Sequence, residues 1–191
     1  MKLEVKICGI TRLRDAECAI EAGADYLGFV LVRSSKRFIA PEELARMAEL
    51  PVKKVGVFVD AGVDFIRETV EKGHLDVVQL HGNETPEFAR IIDFAEVWKA
   101  SYDATFPAAR LVCDGPRGGS GLFGDHRKAA ELAKLRPVML AGGITPENAA
   151  ELAKLVRPAG IDLAGGVESV PGVKDPLKIR QLFHNLKGLE L

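Results

Sequence analysis

The chain has 191 residues, 26 basic and 27 acidic side chains, and 47% hydrophobic residues. That suffices for one sizeable core, and the balanced charge gives no basic face of the kind nucleic-acid binding requires. The longest apolar run, residues 27–32, is far too short for a bilayer span or a signal core, so a cytoplasmic protein without membrane contact is expected.

In chain order, the first apolar run (residues 5–8) ends on Cys8, and Gly9-Ile10-Thr11 turns it into an amphipathic stretch. Further short apolar runs follow at 26–31, 54–59, 76–80, 96–100, 110–113, 138–140 and 160–163. They are mostly continuous rather than alternating, the pattern of strands covered on both faces. Helical stretches separate most of them. Thr85-Pro86-Glu87, Thr145-Pro146-Glu147 and Asp175-Pro176 each predict an N-cap followed by proline at the first helical position. Apolar faces at the helical period are predicted for Ala149, Leu152, Ala153 and Val156, and for Leu177, Leu182, Phe183 and Leu186. Between Ala100 and Arg110 there is no room for a full helix, so the fifth one is predicted to be short or missing.

Eight strand–helix units in this length leave roughly 24 residues each, near the minimum for a parallel crossover. The prediction is an α/β fold, a compact (β/α)8 TIM barrel, forming one domain over residues 1–191. In that architecture chemistry gathers at the C-terminal ends of the strands. Cys8, Arg37, Asp60, His81, Asp114, Asp125 and Asp162 fall at or near such ends. Ala141-Gly142-Gly143 and Ala164-Gly165-Gly166 follow the seventh and eighth strands, where glycines let backbone N–H groups approach a phosphate. Cys8, Cys18 and Cys113 are odd in number, widely spaced and outside any CxxC setting, which suggests neither a disulfide framework nor a zinc site. Cys18 and Cys113 read as core residues.

Seven local segments then carry a resemblance in order along nearly the whole chain. They are Lys6-Ile7-Cys8-Gly9-Ile10-Thr11, Leu27-Gly28-Phe29-Val30, Val55-Gly56-Val57-Phe58-Val59, Gln79-Leu80-His81-Gly82 and Gly118-Gly119-Ser120-Gly121. Two more follow: residues 140–148, and Gly166-Val167-Glu168 with Gly172-Val173-Lys174-Asp175. Together they resemble the phosphoribosylanthranilate isomerase family of tryptophan biosynthesis.

The resemblance implies an Amadori rearrangement of N-(5'-phosphoribosyl)anthranilate to 1-(o-carboxyphenylamino)-1-deoxyribulose 5-phosphate, with no metal and no organic cofactor. By motif position it assigns Cys8 as general base and Asp125 as general acid. Arg37 would pair with the anthranilate carboxylate. His81 and Asp162 become substrate-binding candidates, and Gly142, Gly143, Ala164, Gly165 and Gly166 the phosphate cradle. The only partner implied is the small phosphorylated substrate, in a monomer or homodimer. For such chemistry the site must lower the Cys8 thiol and raise the Asp125 carboxyl. The glycine-rich approach at residues 117–124 reads as a loop that delivers the acid.

Each residue also has a plainer reading: Asp125 as the N-cap of the helix it opens, Arg37 as a solvated charge, His81 as a turn residue. Ala164-Gly165 stands where the family has two serines, so backbone N–H groups must serve there. Gly124-Asp125-His126 replaces Phe-Asp-Trp, and Ser35-Lys36-Arg37 lacks the family's proline. Alternatives are another phosphosugar barrel isomerase, a metal-dependent epimerase, or a non-catalytic phosphate-binding barrel.

Overall fold

The computed structural model describes residues 2–115 and 125–189. Eight strands, β1 (Glu4–Cys8), β2 (Tyr26–Val30), β3 (Lys53–Phe58), β4 (Val77–Leu80), β5 (Glu96–Ala100), β6 (Arg110–Cys113), β7 (Val138–Leu140) and β8 (Gly160–Leu163), pair in parallel in chain order. β8 returns to pair with β1, Glu4 opposite Gly160 and Ile7 opposite Leu163, which closes a (β/α)8 barrel. The predicted strand ends differ from these by one residue at most.

Alternate strand residues go to two separate apolar clusters, because successive side chains leave a strand on opposite faces. Ile7, Leu27, Phe29, Phe58, Leu80, Leu111, Leu140 and Ile161 pack in the larger cluster, beneath the helices. Tyr26, Val55, Val77, Trp98, Val112, Met139 and Ala141 form the smaller one, inside the barrel. Burial on both faces is why the runs are continuous in sequence. Cys113 is fully buried and Cys18 packs partly buried against the core, as expected.

Among the described residues, seven helices cover the strands: α1 (Leu13–Ala22), α2 (Pro41–Ala45), α3 (Val63–Gly73), α4 (Pro86–Arg90), α5 (His126–Ala133), α6 (Ala149–Val156) and α7 (Pro176–Leu186). Thr85 and Asp175 are the predicted caps: Thr85 Oγ1 accepts the Phe88 N–H at 3.2 Å, and Asp175 Oδ1 accepts the Leu177 N–H at 2.8 Å. No helix follows β5, in line with the expectation. Turns lead directly to β6, and Arg136 ties them down by donating to the carbonyls of Ala104 and Phe106 at 2.8 Å, and to that of Ala108.

Three local expectations need correction. α6 starts at Ala149 rather than Pro146, because Asn148 folds back to accept the Thr145 N–H at 2.8 Å and leaves a turn before the helix. On α7 the core stripe is Ile179, Leu182, Phe183 and Leu186, spaced at the helical period, while Leu177 in the first turn is 72% exposed. An unanticipated antiparallel hairpin, β9 (Glu168–Val170) with β10 (Val173–Lys174), follows a 3₁₀ turn at Gly165–Val167. It brings Lys174 back beneath the end of β1, where its Nζ reaches the Cys8 carbonyl at 2.5 Å.

Candidate active site

A cavity of ≈ 580 Å³ opens at the C-terminal ends of the strands. Among the residues predicted for the site, Cys8, Arg37, His81, Gly142, Gly143, Asp162, Ala164, Gly165 and Gly166 all line it. β1 ends with Lys6 and Cys8 pointing inward, two residues apart. Gly28, opposite Cys8 on β2, makes room for both: a Cβ there would lie 2.7 Å from Cys8 Sγ and 3.0 Å from Lys6 Cε.

Lys6 is fully buried, a costly place for a cation unless it is paired. Its Nζ donates to Asp162 Oδ2 and to Gln79 Oε1, both at 2.8 Å. Burial disfavours its charge, but Asp162 and the neighbouring Cys8 outweigh that and raise its pKa, so it remains an ammonium. Burial also pushes the Cys8 thiol up, and Lys6 and Lys174 pull it only part of the way back. The lowered thiol that the chemistry calls for is not what burial favours here: desolvation exceeds the cationic field. Asp162 Oδ1 is buried without a partner, an unused acceptor on the cavity wall.

Arg37 is neither a solvated charge nor unengaged. Its Nε and Nη2 donate in parallel to Glu168 Oε1 and Oε2, each at 2.8 Å. Glu168 also accepts from Lys174 Nζ at 2.9 Å and from the Gly172 N–H at 3.2 Å. Any anion meeting Arg37 must use the guanidinium edge that Glu168 leaves over. Burial opposes the Glu168 carboxylate, but Arg37 and Lys174 outweigh it and hold its pKa below the ordinary range. The stabilisation it gives is thus present above that range and drains away as pH falls through the lowered value. Glu168→Gln, which strips a buried ammonium of its counter-charge, is expected to cost about 3 kcal/mol. Urea unfolding checks this; a loss below about 1 kcal/mol would mean the pair acts like a surface one.

The turns after β7 and β8 form one side of the cavity. Gly142 and Gly143 have φ of 81° and 67°, and Asn148 Nδ2 staples the Gly143 carbonyl at 3.0 Å. Among the described residues, the N–H groups of Gly142, Gly143, Gly165 and Gly166 find no acceptor. Four such donors beside one cavity suit a bound oxyanion.

Asp125 is exposed and does not line the cavity. Its Oδ1 accepts the Lys128 N–H at 3.0 Å, capping α5, and its own N–H donates to the Tyr102 hydroxyl at 3.2 Å. The approach loop at 117–124, with Gly118-Gly119-Ser120-Gly121, lies outside the described residues. Asp114, at a strand end, lines the cavity as its position suggests, whereas Lys6, Gln79, Glu168 and Lys174 are not among the residues expected from sequence. The available hint was a polar side chain at an inward position of an apolar strand, as at Lys6 and Gln79. Among the described residues, no three His, Cys, Asp or Glu side chains converge as a metal site.

Residues 5–185 match the family model described as N-(5'-phosphoribosyl)anthranilate (PRA) isomerase. The N-(5'-phosphoribosyl)anthranilate isomerase of Geotalea uraniireducens is 42% identical over 201 residues, covering 97% of this chain and 99% of that protein. The crystal structure of phosphoribosyl anthranilate isomerase from Thermus thermophilus superposes with a TM-score of 0.93 at 44% identity, covering 98% of this chain and all 100% of the other. Another phosphoribosyl anthranilate isomerase, crystallised with reduced 1-(o-carboxyphenylamino)-1-deoxyribulose 5-phosphate, gives a TM-score of 0.89 at 36% identity, covering 98% and 100% of the two chains. With its closed barrel and its cysteine-floored cavity, this chain belongs to the N-(5'-phosphoribosyl)anthranilate isomerase family.

Proposed function

We propose that this isomerase converts N-(5'-phosphoribosyl)anthranilate to 1-(o-carboxyphenylamino)-1-deoxyribulose 5-phosphate with Cys8 as base and Asp125 as acid. The observation that carries the reading is the cavity itself. Cys8 lies on its floor, four glycine N–H groups without an acceptor among the described residues lie along one side, and Arg37 lines its wall.

The substrate phosphate binds the N–H groups of Gly142, Gly143, Gly165 and Gly166, with Ala164 shaping the turn. The anthranilate carboxylate takes the remaining edge of Arg37. Asp125, turned from its cap toward the cavity, protonates the ribose ring oxygen as the C1'–O bond breaks, leaving an iminium. The iminium acidifies C2'–H; the Cys8 thiolate removes that proton, and its electron pair forms the enolamine, which tautomerises to the ketose. Asp162 Oδ1 and His81 contact sugar hydroxyls.

The test supplies the substrate, generated in situ, and follows loss of its fluorescence with and without a chelator. Equal conversion in both is expected; conversion that needs added metal would favour an epimerase, and none would favour a binding barrel. The same assay yields the pH profile. Since burial raises the Cys8 thiol, kcat/KM should still be climbing on the alkaline side of neutrality. A profile already flat at neutral pH would contradict a thiol governed by burial.

A further inference from the structure

A chain of polar side chains crosses the floor of the cavity from β8 to β6: Asp162, Lys6, Gln79, His81, Asp114. Its chemistry leaves one self-consistent arrangement of protons. The Lys6 ammonium has only hydrogens to offer, so the Gln79 atom 2.8 Å away must be its carbonyl Oε1. The other end of the same amide, Nε2, then has only hydrogens to offer, and it faces His81 Nδ1 at 3.0 Å. Nδ1 must accept, so a neutral His81 ring carries its proton on Nε2.

The opposite side of the ring gives the same answer independently. His81 Nε2 faces Asp114 Oδ2 at 3.4 Å, and a bare ring nitrogen there would set two lone pairs against each other. The peptide supports the ring as well, since the His81 N–H donates to the Phe58 carbonyl at 2.8 Å.

The geometry points to Gln79 as a positioning residue that, held by buried Lys6, fixes the His81 tautomer and keeps Nε2–H at the cavity wall, where a ligand oxygen can take it in place of the long 3.4 Å approach to Asp114. Lys6 thus stands at a junction: its Nζ orients the amide that sets His81, while its stem lies beside Cys8 across Gly28. That the donor serves a sugar oxygen rests on the isomerase reading; the tautomer does not.

Gln79→Glu makes the sharpest test. A carboxylate keeps an acceptor for Lys6 but places a second acceptor where the amide donated, so the ring must present a proton on Nδ1. The measurement is ¹⁵N NMR of histidine-labelled full-length protein in mildly alkaline buffer, with the His81 signals identified by their loss in His81→Asn. Expected is Nε2–H in the unaltered chain and a proton on Nδ1 in Gln79→Glu. With it, kcat/KM should fall on the order of 10²-fold, the lower end of the loss seen when one preorganised donor to a reacting oxygen is removed. A proton on Nδ1 in the unaltered chain would overturn the inference, and that measurement decides even if Gln79→Glu does not fold. An unmoved proton in a folded Gln79→Glu would overturn it equally. A moved proton with unchanged turnover would support the relay and count against His81 as a substrate contact.

Discussion

Cys8→Ser is expected to reduce kcat toward 10⁴-fold, the upper part of the roughly 10²–10⁴-fold range of general acid–base catalysis, with the fold intact. Serine has nearly the shape of cysteine and is slightly smaller, so it fits the same place opposite Gly28. Its hydroxyl, however, is far too weak an acid to form an alkoxide near neutrality, so in the proposed mechanism the C2' proton loses its acceptor. Asp125→Asn is the companion measurement. Asparagine caps a helix about as well as aspartate, so α5 should keep its start and the thermal midpoint should hardly move. It cannot donate a proton as a carboxylic acid does. A fall in kcat comparable to that of Cys8→Ser would support the acid role. Full turnover would leave Asp125 as a cap and nothing more.

Gly166→Ala should have the largest effect on binding. A Cβ at this position would lie 1.9 Å from the Ile144 carbonyl oxygen and 3.1 Å from Thr145 Cα. Both are backbone atoms, so no rotamer change relieves the clash, and the turns after β7 and β8 must separate. Strain of this kind typically costs about 1–3 kcal/mol. The more specific consequence is that the two pairs of N–H donors proposed to share one phosphate are moved apart. A rise in KM of about tenfold or more is expected, roughly 1.4 kcal/mol of lost phosphate contact, with weaker binding of inorganic phosphate by calorimetry. Gly165→Ala is the control. Its Cβ would meet only Arg37 Nη2 at 3.3 Å and Glu168 Oε2 at 4.0 Å, the ends of side chains with some freedom to give. If the two variants bind phosphate equally well, the close passage of the turns is not what builds the cradle.

Much of the molecule is legible before any coordinates. The continuous runs at 110–113, 138–140 and 160–163 are the strands β6, β7 and β8, because a strand buried on both faces has no polar phase to confuse its limits. The caps at Thr85 and Asp175 are local chemistry and act as predicted. At Thr145 the local rule fails, because Asn148 ties up the turn instead, accepting the Thr145 N–H and donating to the Gly143 carbonyl beside the cavity. Leu177 fails for a related reason: a helical period names a stripe, and only docking decides whether the first turn lies over the core.

By itself the sequence determines the repeat, the strand ends and hence the rim on which Cys8, His81 and the glycine turns gather, since these follow from alternation over a few neighbouring residues. Tertiary structure alone decides how the charges are spent. Arg37 meets Glu168 across 131 positions, Lys6 meets Asp162 across 156, and Lys174 reaches the Cys8 carbonyl across 166. All three contacts exist only because β8 closes against β1. That closure also sets the desolvation that raises the thiol, and burial is a property of the assembled barrel that no short stretch of residues contains.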